Sequence, residues 1–245
     1  MTKKTRTILF GTCVFLFALI TPSIILYSQG YRIDFNPLPG GKIIVQTGGL
    51  YFKVLPAGAD VYLNAKFKDK TAFFGNSLLI ENLLPKTYQV EIKKQGYHTW
   101  QKTLEVKEAQ VTEAKNIILF PAKPDFTLIN QAIPKITANA TSSDKKKVIE
   151  KPNDYEIWVF FPEKEEKIFL TRFSGKINRV FWLTDDYLIF NVGDKIKIAE
   201  IDSRDTLNVI DLVEFNNPEI FWSQKDKKLY VLSLGNRYLL DNLLP

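Results

Sequence analysis

From Ile8 to Tyr27 the chain reads ILFGTCVFLFALITPSIILY, 20 residues without a charge. A helix of that length spans about 30 Å at 1.5 Å per residue, the thickness of the hydrocarbon layer of a bilayer. This run predicts a transmembrane helix and commits the rest of the chain to one side of a membrane. Lys3, Lys4 and Arg6 precede it and only Arg32 follows closely. The positive-inside bias therefore keeps the N-terminus in the cytoplasm and exports the body, a single-pass plasma-membrane topology. Tyr27 and Tyr31 suit the outer headgroup level, and Pro22 is tolerated in a membrane helix. A cleaved signal peptide is the alternative, but it wants a shorter apolar region and an A-x-A-like site, of which Ser28 and Gly30 offer a poor version. A lipoprotein needs its cysteine after the apolar region. Cys13, the sole cysteine, follows Phe10, Gly11 and Thr12 near its start. It reads as a small apolar residue of the helix, and a lone cysteine permits neither an intrachain disulfide nor a Cys-based metal site.

Beyond the helix the chain changes character. The sequence holds 18 Phe and 10 Tyr, and aromatic residues fit a pleated, half-buried surface. Half of the net charge of +6 sits before the helix, so the body is nearly balanced and nucleic acid is not an expected partner. Residues 31–35 alternate, Pro37, Pro39, Gly40 and Gly41 mark a turn, and 43–45 give a second strand. Further strands are expected at 50–56, 59–64, 77–83, 87–94, 98–106 and 111–120. In Tyr88-Gln89-Val90-Glu91-Ile92 the apolar residues take every second place, the pattern of a strand with one buried face. Short strands without helix-period segments make a small antiparallel β-sandwich, because parallel crossovers would need helices.

Pro56-Ala57-Gly58-Ala59 followed by Val61-Tyr62-Leu63-Asn64 resembles the signature of the PEGA domain. Glu81-Asn82-Leu83-Leu84-Pro85, Tyr88 to Ile92, and Gly96-Tyr97 then recur in that family's order. The resemblance covers about residues 48–120. Lys86-Thr87 stands where a glycine is expected after Pro85, and the usual Gly-x-Thr-Pro stretch appears only as Lys70-Thr71-Ala72; both departures fall in loops. The signature also has a direct physical reading. Pro56 lacks a donor and ends a strand, while Gly58 and Gly96 can take a positive φ to turn the chain. The resemblance implies a surface or envelope protein that binds or supports, with no catalytic set to carry over.

Residues 121–134 hold three prolines and read as a linker, with Phe126 to Ile129 as a candidate strand. Beyond it lies a faint repeat. Phe181-Trp182 and Phe221-Trp222 stand 40 residues apart, each followed by a polar turn and an apolar strand. A period near 40 built of about four short strands is that of propeller blades, and the segments resemble degenerate TolB-type or WD-repeat blades. Residues 135–245 hold fewer than three such blades, whereas propellers close with about 4–8. The region is therefore expected to be part of a longer chain or an open stack, with a second sandwich as the other reading. The expected organisation is a cytoplasmic tip and anchor (1–30), a PEGA-like sandwich with leading strands (31–120), a linker (121–134) and propeller-like antiparallel repeats (135–245).

The chemistry-bearing residues are sparse. His98, the only histidine, reads as an exposed turn residue. Asp185-Asp186 and Glu163-Lys164-Glu165-Glu166 are acidic enough for metal or acid–base work, but they sit in polar turns with lysines nearby. Lys145 to Lys147 reads as a solvated turn, and Asn139-Ala140-Thr141 is a glycosylation sequon of a kind common by chance. No Gly-x-Ser-x-Gly, Ser-x-x-Lys, His-Glu-x-x-His or phosphate-cradling loop occurs. No catalytic, cofactor or metal residues are expected. Phe73, Phe74, Tyr97 and Trp100 are the candidate aromatic platform for a glycan or a partner protein, although Trp100 also suits a sandwich core. The functional expectation is a non-catalytic, membrane-anchored envelope protein that binds or supports an extracellular polymer or partner protein. The competing reading is an extracytoplasmic hydrolase whose site lies in blades absent from this chain.

Overall fold

The computed structural model describes residues 2–37 and 39–245. One helix, α1 (Lys3–Ser28), contains the whole apolar run, with Pro22 inside it and none of its side chains buried. The hydroxyls of Thr12 and Ser23 donate to the carbonyls of Ile8 and Leu19, at 3.0 and 3.3 Å, so both are satisfied within the helix. Two short strands follow, β1 (Tyr31–Ile33) and β2 (Ile44–Gln46), paired antiparallel. By contact density the described residues divide into two units. The first holds 2–37, 39–52, 79–88 and 105–114; the second holds 53–78, 89–104 and 115–245.

The strands of the sandwich run through residues 48–118. They are β3 (Gly48–Leu55), β4 (Asp60–Leu63), β5 (Lys66–Lys70), β6 (Ser77–Leu83), β7 (Thr87–Lys93), β8 (Trp100–Glu105) and β9 (Val111–Ile118). They form sheets of order β6-β3-β9 and β5-β4-β7-β8. Alternation decides which side chains enter the core. Leu50, Phe52 and Val54 of β3 and Tyr88, Val90 and Ile92 of β7 are buried at every second position. Pro56 stands one residue past the end of β3, and Gly58 and Gly96 take φ of +73° and +84°, as the turn chemistry requires. The strand absent from the sequence reading is β5, KFKDK, exposed along its full length. It has no apolar alternation because it is an edge strand, and lysines on such an edge oppose pairing with another chain.

The remaining strands form three consecutive sheets. The first is β11 (Val148–Glu150), β12 (Glu156–Phe161) and β13 (Glu166–Arg172). The second is an antiparallel meander of β14 (Ile177–Thr184), β15 (Tyr187–Val192), β16 (Lys195–Glu200) and β17 (Val209–Glu214). The third contains β18 (Glu219–Ser223), β19 (Lys228–Ser233) and β20 (Asn236–Leu240), with β10 (Thr127–Ile129) on its edge. Thus the segment read as a linker gives the third sheet its fourth strand, with Thr127 opposite Leu239. Residues beyond 134 supply only ten strands, and β10 brings the third sheet to blade size.

The two Phe-Trp pairs fall on β14 and β18, the first strands of successive sheets, with Trp182 opposite Leu188 and Trp222 opposite Leu229. Trp182 packs among Ile157, Val159, Leu188 and Phe190, joining the first sheet to the second. Trp222 packs among Phe181, Leu183, Ile189 and Val231, joining the second to the third. Each indole therefore lies between neighbouring sheets, as stacked propeller-like blades require.

Candidate functional site

The four aromatic residues of the candidate platform do not come together. Phe73 and Phe74 touch edge-to-face with centroids 5.4 Å apart, and they are 78% and 87% exposed. Gly75 and Asn76 take left-handed conformations that turn the chain back into β6 and leave both rings at the loop tip. Tyr97 is half-buried instead, bridged to Pro121 beside a cavity of ≈ 140 Å³ that Pro124 and Leu243 also line. Trp100 is only 4% exposed and its indole N–H donates to Glu200 Oε2 at 2.8 Å. It offers no face to a ligand. Of the predicted group, Phe73 and Phe74 alone form an exposed pair, in the loop that follows β5, which presents Lys66, Phe67, Lys68, Asp69 and Lys70.

The partners of Trp100 make up a buried charge cluster that the sequence reading does not contain. Trp100, Lys102 and Leu104 alternate on one face of β8, and this brings the side chain of Lys102 to 0% exposure. Its ammonium pairs with Glu200 Oε1 and donates to the Asp202 carbonyl at 2.7 Å. Glu200 also accepts from Asn208 Nδ2 at 2.9 Å, so the buried carboxylate serves three donors. Asp202 loses some hydration, but Arg204 and Lys102 outweigh that and hold its carboxyl below the usual carboxylate range. Beside the cluster lies a polar cleft of ≈ 340 Å³ lined by Gln89, Glu91, Gln101, Thr103, Asp205 and Thr206. Asp205 accepts the Thr103 backbone N–H at 2.7 Å on that wall.

The acidic turn flagged in the sequence is organised around Lys147, whose side chain is only 12% exposed, so this member of the lysine run is not a solvated one. It pairs with Asp144 at 3.0 Å and Asp186 at 3.6 Å and donates to the Asp185 carbonyl. Slight burial opposes the charge of Asp144, but bonds from Ser142, the Lys146 N–H and Lys147 lower its pKa to about 2. Burial pushes Asp186 up, with Lys147 opposing. Asp144 and the Asp185-Asp186 pair lie in two turns that Lys147 and the Asp144 N–H to Asp185 Oδ1 bond tie together. Among the described residues no group of three or more His, Cys, Asp or Glu side chains is arranged to hold a metal ion.

His98 is also not an exposed turn residue. Its backbone N–H donates to the Phe120 carbonyl at 2.8 Å, and its Nε2 is buried without a partner among the described residues. Burial lowers its pKa below the ordinary 6.5, with the Asp211 carboxylate pulling the other way. The folded state then binds fewer protons at this site than the unfolded chain. The stability it contributes is complete above the ordinary histidine value and is lost as pH falls through it. Replacing His98 with Gln should flatten the decline in denaturation midpoint between about pH 7 and 5. An unchanged pH profile would remove His98 as its source.

In chain order, one apolar helix is followed by the strands of the sandwich and then by the propeller-like sheets. Residues 47–117 match the family model described as the PEGA domain, so the chain carries a PEGA domain over under a third of its length. No curated protein matches the chain. Among solved structures it is similar to Hsv2 from Kluyvelomyces marxianus, at 8% identity over 65% of this chain and 45% of that one, with a TM-score of 0.24. It is also similar to TolB from Acinetobacter baumannii, at 11% identity over 79% and 54%, with a TM-score of 0.24. The chain spans about half the length of either. Similarity at that level carries no argument, and the propeller-like description rests on the strand order and the 40-residue offset.

Proposed function

We propose that this is a membrane-anchored, non-catalytic envelope protein that binds an extracellular polymer or a partner protein through its β domains. The observation that carries the reading is the order of α1 and the PEGA domain along the chain. A helix of 26 residues with no buried side chain precedes a PEGA domain, and that domain's β5–β6 loop exposes two aromatic rings beside lysines. Such a helix has no core of its own to join, and hydrocarbon is the medium in which its surface is stable. The charges before it favour a cytoplasmic N-terminus and an exported body. The buried Lys102–Glu200 pair and the acidic turn at Lys147 are spent on structure, which supports a binding role for the exposed loop.

Protease added to intact spheroplasts should digest the body and leave a short protected N-terminal fragment. Full protection of the body, or a mature chain starting near Tyr31, would overturn the uncleaved, outward-facing anchor. For the loop, Phe73→Ala with Phe74→Ala should change stability by no more than about 0.5 kcal/mol, because both rings are in water. The same pair of substitutions should reduce co-sedimentation of the full chain with purified cell-wall polymer. Unchanged co-sedimentation would remove the loop from the binding surface.

A further inference from the structure

The ribbon β1–β2 has its apolar side facing the wrong way for a protein in water. Arg32 lies opposite Val45, and Val45 is buried. The other face carries Ile33 directly opposite Ile44, and cross-strand pairs project to the same side. Ile33 is 54% exposed and Ile44 56% exposed. In the bend that follows β1, Phe35 is 91% exposed. A ribbon with one buried face normally carries polar residues on the other.

Where this ribbon sits follows from its attachments, all of which lie in the first unit. The Thr47 backbone N–H and hydroxyl both donate to the Gly30 carbonyl at 2.9 Å, and Gln46 Nε2 donates to the Gln29 carbonyl at 2.9 Å. Arg32 Nη1 donates to the Tyr27 carbonyl at 2.8 Å, and its guanidinium lies 3.6 Å from the centre of the Tyr27 ring. The end of the ribbon where β1 begins and β2 ends is thus fastened to the last turn of α1 and the two residues that follow it. That turn is where the 20-residue apolar run ends and, if the helix spans, where the hydrocarbon gives way to headgroups. Tyrosine and arginine are the residues that settle at that level, the ring at the boundary and the cation reaching into the polar layer.

We infer that the β1–β2 ribbon is an interfacial foot, lying in the outer headgroup layer of a lipid bilayer with Ile33, Phe35 and Ile44 directed into lipid. The inference rests on the reading of α1 as a membrane anchor and adds a second contact to it. The lipid surface is the occupant because the ribbon is hydrogen-bonded to the end of the segment that enters lipid. The foot restrains the tilt and rotation of α1, which one helix alone would leave free.

The test uses the full chain in mixed phosphatidylcholine–phosphatidylglycerol vesicles, with nitroxide labels read by their relative collision with oxygen and with a water-soluble nickel chelate. Cys13 is the native label site in α1; Phe35→Cys, Ile44→Cys and, as an aqueous reference, Leu234→Cys are made in a Cys13→Ser background. All three new sites are exposed, so the fold should tolerate them. The expected result is a label at 13 deep in lipid, labels at 35 and 44 several-fold more accessible to oxygen relative to nickel than the label at 234, and the label at 234 in water. A deep label at 13 with 35 and 44 indistinguishable from 234 overturns the foot and leaves the anchor standing. A label at 13 in water overturns the anchor and the foot with it.

Discussion

Lys102→Met should destabilise the protein by about 3–5 kcal/mol, the usual consequence of leaving a buried charge without its partner. Methionine keeps the length and apolar stem of lysine, so packing changes little and the loss reports the Glu200 carboxylate. With both side chains nearly excluded from water, 0% and 5% exposed, hydration cannot replace the missing ammonium. The second substitution separates charge from shape. Adding Glu200→Gln removes the orphan charge while keeping an oxygen for the Trp100 N–H, and the double variant should regain at least half of the loss. Denaturant unfolding of the detergent-solubilised chain, followed by tryptophan emission, measures both. A cost under about 1 kcal/mol for Lys102→Met would mean that water reaches the pair and that the cluster is not a sealed one.

The two equivalent tryptophans should behave alike as alanine variants and differently as phenylalanine variants. Trp182→Ala and Trp222→Ala each empty a site between adjacent sheets and should cost about 3–5 kcal/mol. Their indole nitrogens, however, are not equivalent. Trp182 Nε1 donates to the Ala140 carbonyl at 2.7 Å, whereas the buried Trp222 Nε1 has no partner among the described residues. Phenylalanine at 182 therefore forfeits a hydrogen bond, about 0.5–1.5 kcal/mol beyond the smaller ring, while the Ala140 carbonyl keeps the Ile149 N–H. Phenylalanine at 222 removes an unsatisfied donor, which offsets part of the lost packing. Equal costs for the two phenylalanine variants would contradict these assignments.

Much of the architecture is legible in period-two alternation, because a strand with one wet face must alternate. The strand at Tyr88 to Ile92 is readable for that reason, and the pair of Phe-Trp strands from their 40-residue offset, since Val180 to Leu183 are buried in a row. β5 was not, since a fully exposed edge strand has no buried parity to betray it. The charge cluster had a signal that could have been used. Lys102 stands at the buried parity of Trp100 and Leu104, and Glu200 at that of Ile196 and Ile198. Each residue alone looks like an error in the pattern; together they are a pair, but no local rule links positions 98 residues apart. Trp100 shows the opposite failing, because an aromatic on a strand fits platform and core equally well until its neighbours are known.

The strand β10 has a consequence for how the chain is made. It leaves the ribosome well before its partner, since the Thr127 hydroxyl bonds the Leu239 carbonyl 112 residues later. At synthesis rates of about 5–20 residues per second, that interval lasts about 5–20 s. For that time β10 is an unpaired edge that can template pairing with another chain, and the third sheet cannot finish. Tying the two together also closes a long loop, which slows folding. A strand made late, β20, is therefore the one that locks an early one, and translation order itself sets how long β10 waits unpaired.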